Sequence, residues 1–308
     1  MRAARHRQWL QQRGPDPDQI SRTFFRGMIP ELTRDKISEL AVVKKFWALF
    51  FFFWPIVALY ACWIAPARGW WFPGEAKTAM GERIEGLFYL ILGIVTVVFI
   101  GTQAALGYVL WKGATRPKDH KAEFSHGSHS LELIWTIVPA FVLVFIALYQ
   151  MDVWAEYRVQ SFYPEATKQG SVAELMARQF EWRIRYPAEG KVLTDEPAAD
   201  DLHWVNEIHV PTGRPVKINL RTQDVQHAFF SPQLRLKQDA VPGLIIPVWF
   251  EIPEAGEYDI VCAELCGWGH YKMRARLVAE SELDFEQYKR TLRDQQNDDG
   301  YRPAEDAE

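Results

Sequence analysis

Three long apolar stretches crowd into the first 151 residues, and nothing comparable follows them. The first is Phe46-Trp-Ala-Leu-Phe-Phe-Phe-Phe-Trp-Pro-Ile-Val-Ala-Leu-Tyr-Ala-Cys-Trp-Ile-Ala65. The second runs from about Leu87 to Trp111 with Gly93, Gly101 and Gly107 inside it, and the third from about Leu131 to Met151 around Pro139. At a rise of ~1.5 Å per residue, each is about long enough to cross the ~30 Å apolar core of a bilayer. A backbone in lipid must satisfy its own polar groups, so each stretch is expected to be an α-helix. Glycine and proline are tolerated there because surrounding protein meets the freed groups. Trp47, Trp111, Trp135 and Trp154 lie near span ends, where interfacial aromatics collect. The mean hydropathy of −0.18 hides this division.

Basic residues set the orientation. Residues 1–45 hold ten Lys and Arg, which predicts a cytoplasmic N-terminus. The loop after the first span carries only Arg68, Lys77 and Arg83 and can face outward. Lys112, Arg116, Lys118 and Lys121 return the next loop to the inside, so everything after the third span is outside. Two other readings of the first span exist. It could be the apolar part of a signal peptide, whose long leader would shorten if Met28 were the true start. Leu59-Tyr-Ala-Cys62 also faintly resembles a lipoprotein cleavage box, which Tyr60 fits poorly. Length and charge favour a retained helix, with Cys62 an apolar helix residue.

From Asp152 onward the pattern changes to short strands. Arg178–Tyr186, Trp204–Val210 and Val216–Thr222 alternate side chains, and Leu244–Phe250 is a buried-looking run. Glu257–Val261 and Met273–Val278 flank a loop, and Pro187, Pro211, Gly213, Pro242 and Gly256 punctuate the series. Such spacing suggests a β-sandwich of about 130 residues, enough for its own core. Residues 191–201 read as a polar surface loop. Ser281 with Asp284 resembles a helix-capping box, Phe285, Tyr288 and Leu292 recur at helical spacing, and the last dozen residues read as a frayed polar tail.

The chemistry is concentrated in Cys262-Ala-Glu-Leu-Cys266-Gly-Trp-Gly-His270-Tyr-Lys-Met273, which holds two of the chain's three cysteines. His227 precedes Cys262 by 35 residues. A disulfide, permitted in an oxidising compartment, leaves His270 and Met273 without a role. Zinc takes Cys and His but has little use for a thioether. A mononuclear blue-copper site needs a single Cys, two His and a weak axial Met, so one thiolate is left over. Two thiolates can instead bridge two coppers, each copper taking one His, with Met273 and a backbone carbonyl as weak ligands. Gly267 and Gly269 let the loop turn tightly.

The loop resembles the CuA loop of cytochrome c oxidase subunit II, in which Cys-x-Glu-x-Cys-x-x-x-His-x-x-Met follows a further His by about 35 residues. The resemblance covers roughly residues 85–280. It implies that His227, Cys262, Cys266, His270 and Met273 hold binuclear copper through side chains, and Glu264 through its carbonyl. The Glu264 side chain would reach a magnesium ion shared with subunit I. The family carries an electron-input tryptophan in a Gln-Trp-x-Trp pattern, whereas this chain has Gln179-Phe180-Glu181-Trp182. Trp268 could substitute for the missing aromatic at Phe180, or pack against subunit I. Glu132, in Glu-x-x-Trp-Thr-x-x-Pro, matches a family carboxylate near the inner mouth of a proton path. The alternative is a solvated residue at a span end, where an acidic side chain can reach water. Lys237–Gly243 matches a segment that packs near the copper and subunit I.

The expected architecture is a transmembrane α-helical part followed by an all-β, cupredoxin-like Greek-key sandwich. Residues 1–45 form a cytoplasmic extension, 46–66 an extra transmembrane helix and 85–151 a helical hairpin. Residues 152–280 form the periplasmic CuA domain, and 281–308 a helix and tail. The family has two spans and an outside N-terminus, so an inside N-terminus plus one extra span restores its orientation. The resemblance implies the electron-accepting subunit of a haem-copper oxidase in the inner (plasma) membrane. Its partners would be subunits I and III, membrane lipid, and cytochrome c or another outer-face donor. The copper subunit of a nitric oxide reductase and a membrane-tethered copper carrier are the alternatives. A quinol oxidase subunit would lack the copper ligands. Residues 152–280 carry 19 Asp and Glu against 14 Lys and Arg, and a mildly acidic face would attract a basic cytochrome c.

The remaining histidines read as ordinary: His203 and His209 as structural, and His120, His126 and His129 as part of a solvated loop. No Cys-x-x-Cys-His, phosphate-binding glycine loop or hydrolase triad occurs, and nothing points to nucleic acid.

Overall fold

The computed structural model describes residues 34–70, 74–117, 120–121 and 124–298. The start of the N-terminal extension, the alternative start at Met28 and most of the polar tail fall outside them. Three helices are long and apolar enough to cross a membrane: α1 (Arg34–Ile64), α2 (Ala79–Ala114) and α3 (His129–Tyr149). The apolar part of α1 is Val42–Ile64. Large side chains along them face outward, including Ile56 and Trp63 on α1, Val97 on α2 and Phe141 on α3. Surfaces this apolar over this length require lipid or protein cover.

The chain divides into two compact units. In the first, built from residues up to 58 and 98–123, α1 meets the second half of α2 at Gly107. A Cβ there would sit 2.9 Å from the Phe52 ring, so the missing side chain is what lets the aromatic lie against the helix.

The second unit holds residues 59–97 and 124 onward. Ser128 caps α3, its side chain accepting from Leu131 N–H. A short helix, α4 (Met151–Arg158), follows α3 almost directly and leads into the β-domain. The strands are β1 (Ala173–Arg178), β2 (Glu181–Tyr186), β3 (Leu202–Val205), β4 (Glu207–Pro211), β5 (Pro215–Thr222), β6 (His227–Ser231), β7 (Leu236–Ala240), β8 (Ile246–Glu251), β9 (Gly256–Cys262) and β10 (Arg274–Glu280). They form two five-stranded sheets, ordered β3-β2-β1-β5-β8 and β4-β10-β9-β6-β7. Most pairs are antiparallel, but β1 runs parallel to β5 and β4 parallel to β10. Alternation does the sorting: along β5, Val216, Ile218, Leu220 and Thr222 point inward and their neighbours stay half-exposed. Leu175, Trp182, Ile184, Ile218, Phe229 and Ile260 fill the core with no exposed surface.

Two of the expected single strands are each two. The run Arg178–Tyr186 turns at Gln179-Phe180 and folds back as β1 and β2, pairing Arg178 with Glu181. The run Trp204–Val210 breaks at Asn206, which takes φ +59°, so β3 ends in one sheet and β4 begins in the other. Asparagine tolerates this left-handed backbone, and here its side chain also fixes the corner. Asn206 Oδ1 accepts from Trp182 N–H at 2.8 Å, and its own N–H donates to Trp182 O at 2.7 Å.

Arg185 anchors the loop between β2 and β3. It is buried, donates to both oxygens of Glu174, reaches Asp201 Oδ2 at 2.7 Å, and donates to Thr194 O at 2.8 Å. The terminal helix α5 (Glu282–Asp298) is capped by Ser281, whose hydroxyl accepts from Asp284 N–H, and it buries Phe285 and Leu292. His209 stacks on Tyr288 of α5 at 3.5 Å and bonds Glu280 and Glu207.

Candidate metal centre

One end of the second sheet gathers the sulfur and nitrogen donors. His227 opens β6, Cys262 closes β9, and Met273 immediately precedes β10. The connecting loop is closed at its base, where Cys262 N–H donates to Met273 O at 3.1 Å. Inside it, His270 N–H donates to Gly267 O and Lys272 N–H to Gly269 O, each at 3.1 Å. Gly267 takes φ +131°, a backbone that favours glycine. A Cβ on Gly269 would overlap the Phe180 ring, so the β1–β2 turn lies directly against the loop backbone.

The donor atoms converge. The two sulfurs of Cys262 and Cys266 lie 3.8 Å apart, both thiols being free. His227 Nδ1 is 3.7 Å from Cys262 Sγ, and His270 Nδ1 is 3.7 Å from Cys266 Sγ. Met273 Sδ sits 3.9 Å from Cys266 Sγ, and Glu264 O lies 3.3 Å from Cys262 Sγ. Donor atoms of His227, Cys262 and Cys266 all fall within 4.8 Å of one another. His227, Cys262, Cys266 and Met273 are buried and His270 is half-buried. The sequence-predicted ligand set is therefore brought together, with one imidazole and one weak donor beside each sulfur of the pair. That donor set fits a soft metal with thiolate and imidazole preferences.

Electrostatics bear on the fit. Burial acts to raise the Cys262 thiol, but hydrogen bonds from His227 and then from the backbone bring it below the ordinary thiol range. Cys266 moves the other way, pushed up by burial and by the charge on Cys262. Alone, the pair resists carrying two negative charges. A bound cation removes that penalty, because a coordinating thiol is deprotonated outright.

Two residues without a predicted role complete the surroundings. Asp224 accepts from His227 Nε2 at 2.9 Å and from the backbone N–H of Gln179 and Val225. Its carboxyl is held below its ordinary range: burial opposes this, but those hydrogen bonds prevail. Gln179 donates its side-chain amide to Cys266 O. Asp224 stands three residues before His227, yet an Asp-x-x-His spacing does not by itself distinguish a partner from an exposed loop carboxylate.

The aromatic candidates separate by depth. Trp182 is fully buried, edge-on to His227 and Phe229 at 6.4 Å, and its Nε1 has no hydrogen-bond partner among the described residues. Phe180 is half-buried over the loop. Trp268 is 75% exposed, 5.1 Å from Phe180 in a T-shaped contact. Glu132 lies elsewhere, in the first turn of α3, with its carboxylate beside Gly127 and 4.0 Å from His129.

Residues 68–153 match the profile of the cytochrome c oxidase subunit II transmembrane domain, and residues 176–281 that of its periplasmic domain. Together they span more than half of the chain. Among curated relatives, cytochrome c oxidase subunit 2 of Thermostichus vulcanus is 27% identical over 271 residues, covering 76% of this chain and 82% of that protein. The alternative cytochrome c oxidase subunit 2 of Bradyrhizobium diazoefficiens is 37% identical over 131 residues, or 36% of this chain and 47% of that protein. A solved structure, the periplasmic domain of subunit II of cytochrome oxidase of Bradyrhizobium japonicum, is 23% identical with a TM-score of 0.35. That likeness covers 40% of this chain and 93% of that one. The β-domain is thus of the cupredoxin-like kind, and copper is the metal that its family implies.

Proposed function

Because the chain belongs to the cytochrome c oxidase subunit II family, and so to an oxidoreductase complex of the membrane, we propose that it is the subunit through which electrons arrive. It would take them one at a time from an outer-face donor, such as cytochrome c, and deliver them to haem in subunit I for oxygen reduction coupled to proton pumping. The observation that carries this reading is the 3.8 Å sulfur pair of Cys262 and Cys266, flanked by His227 and His270. His227, Cys262, Cys266, His270, Met273 and the Glu264 carbonyl would hold a binuclear copper centre. Bound there, copper would supply a one-electron redox carrier.

The protein's own residues do the rest. The closed loop base and the Phe180 ring hold the donors in place before any metal arrives, which limits rearrangement on electron uptake. Asp224 holds Nε2 of His227, leaving Nδ1 for the metal. Burial of both cysteines keeps water from the sulfurs. The Glu264 side chain would share a magnesium ion with subunit I, and Glu132 would feed protons toward that subunit. The inner (plasma) membrane is the proposed location, with subunits I and III as partners.

The test is purification of the tagged chain with its membrane partners, followed by oxygen uptake from reduced cytochrome c and from a quinol, and by copper analysis. Cyanide-sensitive uptake from cytochrome c with two coppers on this subunit is expected. Nitric oxide consumption without oxygen uptake would move the chain to the reductase. A lone copper-loaded chain with no haem partner would make it a carrier.

A further inference from the structure

The sheet that carries the donors meets the membrane helices along its edge. β7 closes the order β4-β10-β9-β6-β7, and it pairs with β6 from Ser231 opposite Leu236 to His227 opposite Ala240. The turn between these two strands lies against the start of α2. Lys77 N–H donates to Gln233 O at 2.9 Å, and Thr78 Oγ1 donates to Leu234 O at 3.4 Å. A Cβ on Gly81 would stand 3.1 Å from that same carbonyl, so the helix backbone comes close to the turn. The turn reaches β9 as well: Gln233 Nε2 donates to Asp259 Oδ2 at 2.8 Å, on the strand that ends at Cys262.

Arg235 holds this junction. It takes φ +55°, a left-handed backbone in which glycine costs least, so the backbone does not by itself call for an arginine. Its side chain is 8% exposed and is spent on the junction. Nε donates to Glu85 Oε1 on α2 at 2.9 Å, a terminal nitrogen meets Glu85 again and Gly74 O at 2.7 Å, and the other donates to Pro232 O. Arg158 of α4 braces β7 further along, bonding Gln238 and donating to Lys237 O at 3.2 Å. Between these struts the interface is not filled. A cavity of about 230 Å³ opens among Met80, Arg83, Tyr157, Leu236, Trp249 and Pro253. Directional polar contacts, rather than close packing, therefore fix the angle between helices and sheet.

We propose that Arg235, acting through Glu85, is a positioning residue for the outgoing electron. The pair sets how the donor-bearing sheet leans over the membrane helices, and so how far the metal stands from its acceptor. The inference rests on the copper reading above and adds what governs the exit step. In that step one electron leaves the metal centre for haem, with no bond made or broken. An outside donor diffuses to the exposed loop whichever way the domain leans, whereas an acceptor fixed in the membrane does not follow it. Exit alone is therefore sensitive to the lean.

The test uses the purified complex. A photoactivated ruthenium compound injects one electron, and its passage from the metal centre to haem is followed by absorbance. Copper content, the paramagnetic resonance spectrum of the centre, delivery from reduced cytochrome c, and hydrogen exchange over residues 233–240 are read on the same samples. Arg235→Ala should slow exit about tenfold or more and speed that exchange, while copper, spectrum and delivery stay as they were. Arg235→Lys, which can reach Glu85 but cannot span the carbonyls as well, should keep part of the rate. Arg235→Glu combined with Glu85→Arg should recover part of what Arg235→Glu alone loses. An unchanged exit rate in Arg235→Ala, or unchanged exchange over 233–240, overturns the proposal. So does an altered spectrum or lost copper in that variant, because Arg235 would then act on the donor set and not on its placement. Absence of copper from the unmutated complex would overturn the copper reading itself, a failure distinct from these.

Discussion

Asp224 and His227, three residues apart, are joined by a 2.9 Å contact from Oδ1 to Nε2, which leaves Nδ1 facing the Cys262 sulfur at 3.7 Å. The carboxylate thereby sets which ring nitrogen is left free for a metal, and it is itself held by two backbone N–H groups.

Asp224→Asn should therefore weaken copper retention by about 10- to 100-fold while leaving the sandwich folded. Copper remaining after graded chelator challenge is the measurement. Retention equal to that of the unmutated chain would mean that His227 needs no such partner.

Gly269→Ala should displace the Phe180 ring or the loop, at a cost of about 1–3 kcal/mol. Combining it with Phe180→Ala should return much of that loss, because the overlap is then gone. Strict additivity in the two-residue thermal-unfolding cycle would show that the contact is not what constrains position 269.

Glu282 accepts from Arg214, first by that hydrogen bond and also by charge, so its folded pKa lies below its ordinary 4.5. A lowered folded value means that the stabilisation is complete above about pH 4.5 and disappears as pH falls through the lower, folded value. The carboxylate is half-exposed, so screening limits its worth to about 0.5 kcal/mol. Urea unfolding of Glu282→Gln against the unmutated chain, from about pH 6 to about pH 3, should show a small gap that closes on the acid side. A gap that widens in acid would reverse the assignment.

Glu132→Gln tests the proton role. Oxygen turnover of the complex should fall while copper content and donor kinetics stay as they were. Undiminished turnover would leave Glu132 a solvated residue in the first turn of α3.

Much of the fold is legible because apolar runs and alternation report burial directly. The three apolar helices are of this kind, as is β5, whose inward residues follow strict alternation. Arg178–Tyr186 and Trp204–Val210 hide their breaks for the same reason. A tight turn at Gln179-Phe180 and a one-residue corner at Asn206 interrupt the chain's direction without a run of turn-forming residues. The metal donors are legible because four of the five donor side chains fall within twelve residues, a local pattern. Asp224, Gln179 and the depth order of Trp268, Phe180 and Trp182 arise from contacts between β1–β2 and the loop, which no local spacing encodes. Arg185 likewise reads as an ordinary strand cation until Glu174 and Asp201 are brought to it.

The 3.8 Å gap between Cys262 and Cys266 also leaves the pair open to a competing fate. A disulfide needs its sulfurs at ~2.05 Å, so a shift of under 2 Å would seal the pair, and an oxidising compartment favours that outcome. Once sealed, the pair has no thiolate left to offer. A metal that needs both sulfurs must therefore meet the pair while both thiols are still free, so a race between oxidation and metal binding is built into the spacing of the two cysteines.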